Sequence, residues 1–148
     1  MKFGIVDPHA ARVEIVHAKE WPDVAKTLGI ESGQTDHGLI VRDASGGLGM
    51  FCYEFGLFIK EQRYFSVGRM LVGGAAVFYC FNDMGETVDL HEMPPIIFYR
   101  DAHEVERAIR AGDIERPKIA VNDNVLWRWP EPIRDESIVE RMREQGKL

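Results

Sequence analysis

The sequence contains only two cysteines, no long apolar run and no excess of positive charge. Two cysteines without further cysteine or histidine at ligand spacing do not form a zinc site. The most apolar run, Met70–Phe81, has 12 residues, which is too short to cross a bilayer. The first twenty residues lack an apolar segment followed by a small-residue cleavage site, so we expect no signal peptide and a cytoplasmic location.

Negative charge predominates in the composition. The chain has 18 Lys and Arg against 24 Asp and Glu, for a net charge of −6. Nucleic-acid binding without sequence preference depends on cations that displace counterions from phosphates. We therefore expect no such binding, whereas a basic protein partner would suit this surface.

The common catalytic and cofactor motifs are also missing. There is no phosphate-binding loop, no H-E-x-x-H, no G-x-S-x-G and no C-x-x-C. The glycine-rich segments 46–49 and 68–74 do not lead from a strand into a helix, so we interpret them as turns and bulges. The five histidines are scattered. We predict no metal site and no cofactor, and we assign no catalytic residue.

The residues that are present predict one folded domain over residues 1–148. Apolar residues make up 45% of the 148 positions, enough for a hydrophobic core. Runs of strand without regular helical crossovers favour an α+β fold with a mostly antiparallel sheet and two or three helices. We expect the core to draw on Met70–Phe81, Ile96–Tyr99 and Val125–Trp129.

Alternation and turn residues locate the strands. The predicted strands are Lys2–Val6, Arg12–His17, Leu39–Val41, Met50–Phe55, Met70–Phe81, Glu86–Leu90, Ile96–Tyr99, Lys118–Val121 and Val125–Trp129. A turn is predicted at 43–49, and Gly73 and Gly74 indicate a bulge, a bend or a close backbone approach. The connector 56–68 has no assignment.

Capping residues locate the helices. Pro22 and Gly29 fit the first turn and the end of a short helix. Asp101 and Glu104 form a capping-box pattern at the start of a helix over 102–111. Its predicted apolar face consists of Val105, Ala108 and Ile109. Residues 135–146 are predicted to form a charged, peripheral C-terminal helix with a narrow apolar face.

The two cysteines, Cys52 and Cys80, lie in aromatic, apolar runs. A free cysteine in such surroundings behaves as a small buried hydrophobe. We expect both to be reduced and buried on neighbouring strands.

Several cations and aromatics occur together around the connector. The residues are Lys60, Arg63, Tyr64 and Arg69, with Phe65 beside them. An aromatic ring can stack a base while arginine holds a phosphate, so this segment is a candidate site for a small molecule such as a nucleotide. In the alternative interpretation the aromatics belong to the core and the cations to the surface.

Four acids form a second candidate group: Glu54, Asp83, Glu86 and Asp89. Paired carboxylates can perform acid–base chemistry when their pKa values are separated. Alternatively, Asp83 is a turn residue and the next two are solvated strand positions. Alternation places Glu54 on a wet face or beside an arginine such as Arg63 or Arg69.

Trp127, Arg128 and Trp129 form the third candidate group. Two tryptophans on one strand face can cap a core, but Trp and Arg are also enriched at interaction hot spots. Pro130 and Pro132 suit a sheet edge, which must be covered. We expect either the C-terminal helix or a second subunit against this strand, and we favour a homodimer.

Four segments carry a family resemblance: Tyr53–Leu57, Phe65–Gly68, Leu71–Val77 and Asn82–Asp89. Over roughly residues 50–90 the chain resembles small phage-borne proteins of unknown function, and it departs from them in its longer C-terminal half. The resemblance implies a phage or mobile-element accessory protein inside a bacterial host cell, with no activity to carry over.

Three functions follow as hypotheses. The first is a non-enzymatic protein that binds a host protein, for example as a counter-defence inhibitor. The alternative is a protein that binds or sequesters a small molecule, and the third is an enzyme with an unrecognised site.

Overall fold

The computed structural model describes residues 1–30, 35–53, 56–59, 61–121, 125–128 and 144. The strands in this part of the chain are β1 (Lys2–Asp7), β2 (Arg12–His17), β3 (Thr35–Asp43), β4 (Gly46–Tyr53), β5 (Tyr64–Val67), β6 (Met70–Gly73), β7 (Ala76–Asn82), β8 (Thr87–Val88), β9 (Ile96–Tyr99), β10 (Lys118–Val121) and β11 (Val125–Arg128). The helices are α1 (Trp21–Thr27), α2 (Ala102–Arg110) and a short 3-10 helix at Gly56–Phe58.

Every strand pairing is antiparallel, which confirms the predicted α+β class. The larger sheet has the order β2-β1-β7-β4-β3, with β8 beside β7, and a three-stranded sheet has the order β6-β5-β9. The hairpins predicted at β1–β2, β7–β8 and β10–β11 are all present. No helix in the described part of the chain is long and apolar enough to cross a bilayer.

The two sheets face each other across the central core, and one helix covers the outer face of each. Because successive residues of a strand point to opposite faces, β5 sends Phe65 and Val67 into the central core, while Tyr64 packs against α2. The central core consists of Val6, Met50, Phe65, Val67, Val72, Ala76, Phe78 and Leu90. The order of layers is therefore α1, larger sheet, three-stranded sheet, α2.

Aromatic packing holds α1 on the larger sheet. The helix has seven residues, too few to be stable by propensity alone. Trp21 stacks on Phe51 of β4 with ring centroids 3.8 Å apart, and Phe51 stacks on Tyr79 of β7 at 4.9 Å. As predicted, Pro22 lies in the first turn, and Gly29 follows the helix with a φ of 75°.

The capping box of α2 differs from the expected one in its second bond. Asp101 Oδ1 accepts from the Glu104 backbone N–H at 2.9 Å, as predicted. The Glu104 carboxylate reaches back to the backbone N–H of Arg100 at 3.0 Å, one residue before the cap. It also pairs with the Arg100 guanidinium at 2.6 Å, which explains why it extends beyond Asp101.

The longest apolar segment is not one strand. Met70–Gly73 belongs to the three-stranded sheet and Ala76–Asn82 to the larger one. The chain changes sheet at Gly74, whose φ is 82°, a conformation that favours glycine. The predicted bend at Gly73 and Gly74 is thus confirmed, and the single strand is corrected.

Other segments also differ from the sequence prediction: β3 is longer than Leu39–Val41, and β8 is shorter than Glu86–Leu90. The turn expected at 43–49 is shorter, because β4 begins at Gly46. Gly49 lies in this strand and not in a turn. The residue is a glycine because the ring of Tyr79 occupies the space of a side chain, so that an added Cβ would lie 2.3 Å from the Tyr79 Cζ. The unassigned connector contains the 3-10 helix and β5.

Several predictions fall beyond the described residues. They are the turn 122–124, most of the helix 135–146, and the contribution of side chains in Val125–Trp129 to the core.

The cysteines form no disulfide and lie on neighbouring strands, as expected, but they are only half-buried. Cys52 is opposite Ala76 and Cys80 is opposite Leu48, so the two are offset along the strands by about 13 Å. Both lie at the margin of the central core, which explains the incomplete burial. Partial burial raises the pKa of the Cys80 thiol.

The cap of α2 generates a pH prediction. The bond from the Glu104 N–H lowers the pKa of Asp101 below its ordinary value. Since the folded pKa is lower than the unfolded one, the stabilisation is complete above about pH 4 and is lost as the pH falls through the folded pKa. We expect Asp101→Ala to lower the melting temperature at pH 7. Asp101→Asn should keep most of the stabilisation that the cap provides, because asparagine also caps helices well. Asp113→Ala, at an exposed position after the helix, is the control. Equal melting temperatures for Asp101→Ala and wild type would contradict the role of the cap.

Candidate functional site

A cavity of about 290 Å³ lies where the end of β1, the end of α1 and the β6–β7 corner meet. This volume is near the lower limit of small-molecule sites. The cavity, called the Gln62 pocket below, is lined by Asp7, His9, Leu28, Gly29, Ile30, Tyr53, Ile59, Gln62, Gly73, Gly74 and Ala75.

Gln62 is the buried polar group of this pocket. Its side chain is 6% exposed, and burial of an amide is costly unless it is hydrogen-bonded. Its Nε2 donates to the carbonyl oxygen of Gly56 at 2.9 Å, and its Oε1 accepts from the backbone N–H of Arg63 at 3.2 Å. The Oε1 also lies 2.6 Å from the Nε2 of His9. The amide is thus fixed in one orientation.

That orientation fixes the proton position on His9. The Gly56 carbonyl can only accept, so the amide atom facing it is Nε2 and the one facing His9 is Oε1. Because Oε1 can only accept as well, the Nε2 of His9 carries a proton. In the neutral ring the lone pair is then on Nδ1, which has no partner among the described residues and can accept a hydrogen bond.

Glycines allow the backbone segments around the pocket to approach closely. A Cβ added at Gly73 would lie 2.4 Å from the carbonyl oxygen of Gly56, and one added at Gly56 would lie 2.1 Å from that of Gly73. A Cβ at Gly74 would lie 3.0 Å from the Nε2 of Gln62. Of the alternatives predicted for this pair, a close backbone approach is observed at Gly73, whereas Gly74 lies against the Gln62 side chain.

Two non-glycine residues beside the pocket have left-handed backbones. Glu61, directly before Gln62, has a φ of 58°, and Ala11, two residues after His9, has a φ of 49°. Such conformations cost on the order of 1–3 kcal/mol each and occur often at functional sites. The fold thus accepts two left-handed backbones in the segments that position Gln62 and His9.

The candidate residues around the connector are not brought together. Lys60 lies outside the described residues, and Arg63 and Arg69 are exposed. Tyr64 is 3% exposed and packs with Leu71 and Val105; burial raises the pKa of its hydroxyl. With Phe65 also buried, the aromatics and cations have the positions expected in the alternative interpretation.

Each of the described acids has its own local surroundings. Glu54 lies outside the described residues, and Asp83 is exposed in the β7–β8 loop. Glu86 accepts from Asn82 Nδ2 at 3.4 Å. The Lys2 N–H donates to Asp89 at 2.8 Å and lowers the pKa of that carboxyl. Among the described residues, no group of three or more His, Cys, Asp or Glu could hold a metal ion.

Of the third group, Trp127 and Arg128 belong to β11 and Trp129 lies outside the described residues. The homodimer proposed for this strand stays a prediction.

His9 and Gln62 are not among the site residues predicted from the sequence. The available signal was indirect: Gly73 and Gly74 indicated a close backbone approach, but the partner segment, near Gly56, lay in the unassigned connector. Comparison with protein-family models, curated proteins and solved structures finds no match to the chain.

The contact between Gly56 and Gly73 can be tested by substitution. Gly73→Ala places a Cβ against a backbone oxygen that cannot rotate away, so we expect a loss of about 3 kcal/mol in the free energy of unfolding. Gly68→Ala is the control, since Gly68 has a φ of 56° and nothing within 4 Å of an added Cβ. It should cost about 1 kcal/mol for the left-handed backbone. Urea denaturation measures both, and an equal loss would show that the backbone contact is not tight.

Proposed function

We propose that this protein binds a small molecule in the Gln62 pocket. The supporting observation is the buried Gln62 amide, held by Gly56 and His9 at a cavity with apolar walls. Pockets of this kind combine an apolar lining with a few fixed polar groups that orient the ligand. Because the amide is held in advance, the ligand loses little of its binding energy to ordering the protein.

This site is not the small-molecule site expected from the sequence. Of the residues expected there, Arg63 and Arg69 are exposed, whereas Tyr64 is buried. His9 and Gln62, by contrast, lie within hydrogen-bond distance of each other and line one cavity.

A fragment screen by two-dimensional NMR on the intact chain tests this function. We expect hits to shift the Gln62 side-chain amide and the backbone resonances of Gly74 and Ala75. His9→Ala should weaken those hits about tenfold, the loss expected when one hydrogen bond to a ligand is removed. His9 is exposed, so this variant should fold.

The matched control is His103→Ala, an exposed histidine in α2 that does not line the pocket. It should leave the affinity of every hit unchanged. A screen in which no fragment shifts the pocket resonances would refute the proposed function.

The β7–β8 loop favours a second function, the binding of a host protein. Met84 is 77% exposed, between the exposed acids Asp83 and Glu86. Asn82 Oδ1 accepts from the backbone N–H groups of Met84 and Glu86 at 3.0 and 2.9 Å, which orders the loop. An ordered apolar side chain flanked by acids suits a basic partner surface with an apolar recess. With the phage resemblance, the partner would be a host protein inhibited in counter-defence.

Affinity capture from bacterial lysate at moderate salt tests this second function. We expect Met84→Ala to reduce the recovery of a partner about tenfold, as for an interface hot spot. Met70→Ala, at a side chain that is 38% exposed, should recover as much as wild type. Equal recovery by both variants would exclude the loop as the contact, and no recovery by wild type would count against the function.

A further inference from the structure

We propose that the ligand of the Gln62 pocket is a small organic cation with a protonated amine, and that Asp7 supplies the opposing charge. This inference rests on the proposed function and specifies its ligand class.

The first observation is that the pocket has few hydrogen-bond donors left for a ligand. The turn that ends α1 uses the N–H groups of Leu28, Gly29 and Ile30, which donate to the carbonyls of Ala25 and Lys26 at 2.9–3.1 Å. The Gly74 N–H donates to the Arg63 carbonyl at 2.9 Å. Backbone N–H groups commonly bind anions, but these four are already satisfied within the fold.

The second observation is that acceptors remain. Asp7 Oδ1 accepts from the backbone N–H of His9 at 3.0 Å, and the second carboxylate oxygen has no partner among the described residues. His9 Nδ1 adds another acceptor in the neutral ring, as derived above. Both residues line the cavity, so a ligand that enters it meets acceptors in preference to donors.

The third observation concerns charge. Neither Lys nor Arg is among the described residues that line the pocket. Arg12 is opposite Asp7 across the β1–β2 hairpin and its charge attracts the Asp7 carboxylate, but its guanidinium forms its ion pair with Glu14. Asp7 therefore has no ion-pair contact of its own among the described residues, and a ligand ammonium group would supply one. A phosphate there would meet a carboxylate and no arginine, so the nucleotide expected from the sequence fits poorly.

The remaining walls define the rest of the ligand. Leu28, Ile30, Ile59 and Ala75 present aliphatic surface, and Tyr53 adds an aromatic ring. These walls suit a short hydrocarbon portion, and the volume of about 290 Å³ limits it to a small metabolite.

Three probes of equal chain length test this ligand class: butylammonium, butanol and butyrate, each titrated at pH 7.5 and constant ionic strength. Two-dimensional NMR of the intact chain follows the Gln62 side-chain amide and the Gly74 backbone resonance. We expect butylammonium to saturate these shifts at a concentration at least tenfold lower than the other two, because a hydrogen bond to a charged group contributes more than a neutral one.

Asp7→Asn identifies the opposing charge, because its side-chain oxygen can still accept from the His9 N–H. We expect it to weaken butylammonium binding about 10- to 100-fold. Asp113→Asn, at an exposed carboxylate outside the pocket, should leave it unchanged. A thermal melt of each variant verifies that it is folded.

The outcomes separate this inference from the function on which it rests. If butyrate or butanol binds the pocket as tightly as butylammonium, or if Asp7→Asn binds it like wild type, the cation inference is overturned while the pocket remains a ligand site. If no probe and no fragment shifts the pocket resonances, the proposed function and the inference fail together.

Discussion

The structure depends on one corner, at which the chain leaves the three-stranded sheet and enters the larger one. Gly73 passes the Gly56 carbonyl at a distance that excludes a Cβ, and Gly74 then turns with a φ of 82°. Because of this corner, β6 and β7 place Val72 and Phe78 on opposite sides of the same core. Strands that follow each other in sequence thus close the two sides of one core, and a side chain at Gly73 would collide with the 3-10 helix at Gly56.

The Gln62 pocket is a consequence of the same corner. Bringing Gly56 and Gly73 together leaves the Gly56 carbonyl in the interior, where an unpaired acceptor is costly. Gln62 satisfies it, and this bond fixes the face that the amide presents to His9. The backbone contact between the 3-10 helix and β6 therefore also orients the polar groups of the cavity. The structural role of Gln62 and its proposed binding role are inseparable, which is why the exposed His9 is the better residue for testing binding.

The helices and strands could be predicted because they depend on interactions between residues close in sequence. The Gln62 pocket could not be predicted because it depends on contacts between distant residues. Pro22, Gly29 and Asp101 act on neighbouring residues, so their helix ends could be deduced from sequence. Alternation identified most strands, but it could not show that residues 70–81 divide between two sheets, since both halves are equally apolar. Gly49 was assigned to a turn because the ring that excludes a side chain at this position belongs to Tyr79, 30 positions away. Contact between His9 and Gln62 likewise joins residues separated by 53 positions.

The proposed preference of the pocket for a cation originates in the backbone more than in the net charge. A helix end directed at a cavity can bind anions only while its N–H groups are free. Here the cavity meets the C-terminal end of α1, where the partial charge is negative, and the closing turn consumes the N–H groups of Leu28, Gly29 and Ile30. Asp7, which also lines the cavity, adds a full negative charge. Helix direction, turn hydrogen bonds and the carboxylate all act with the same sign, so replacing Asp7 alone would weaken the selectivity for cations without reversing it.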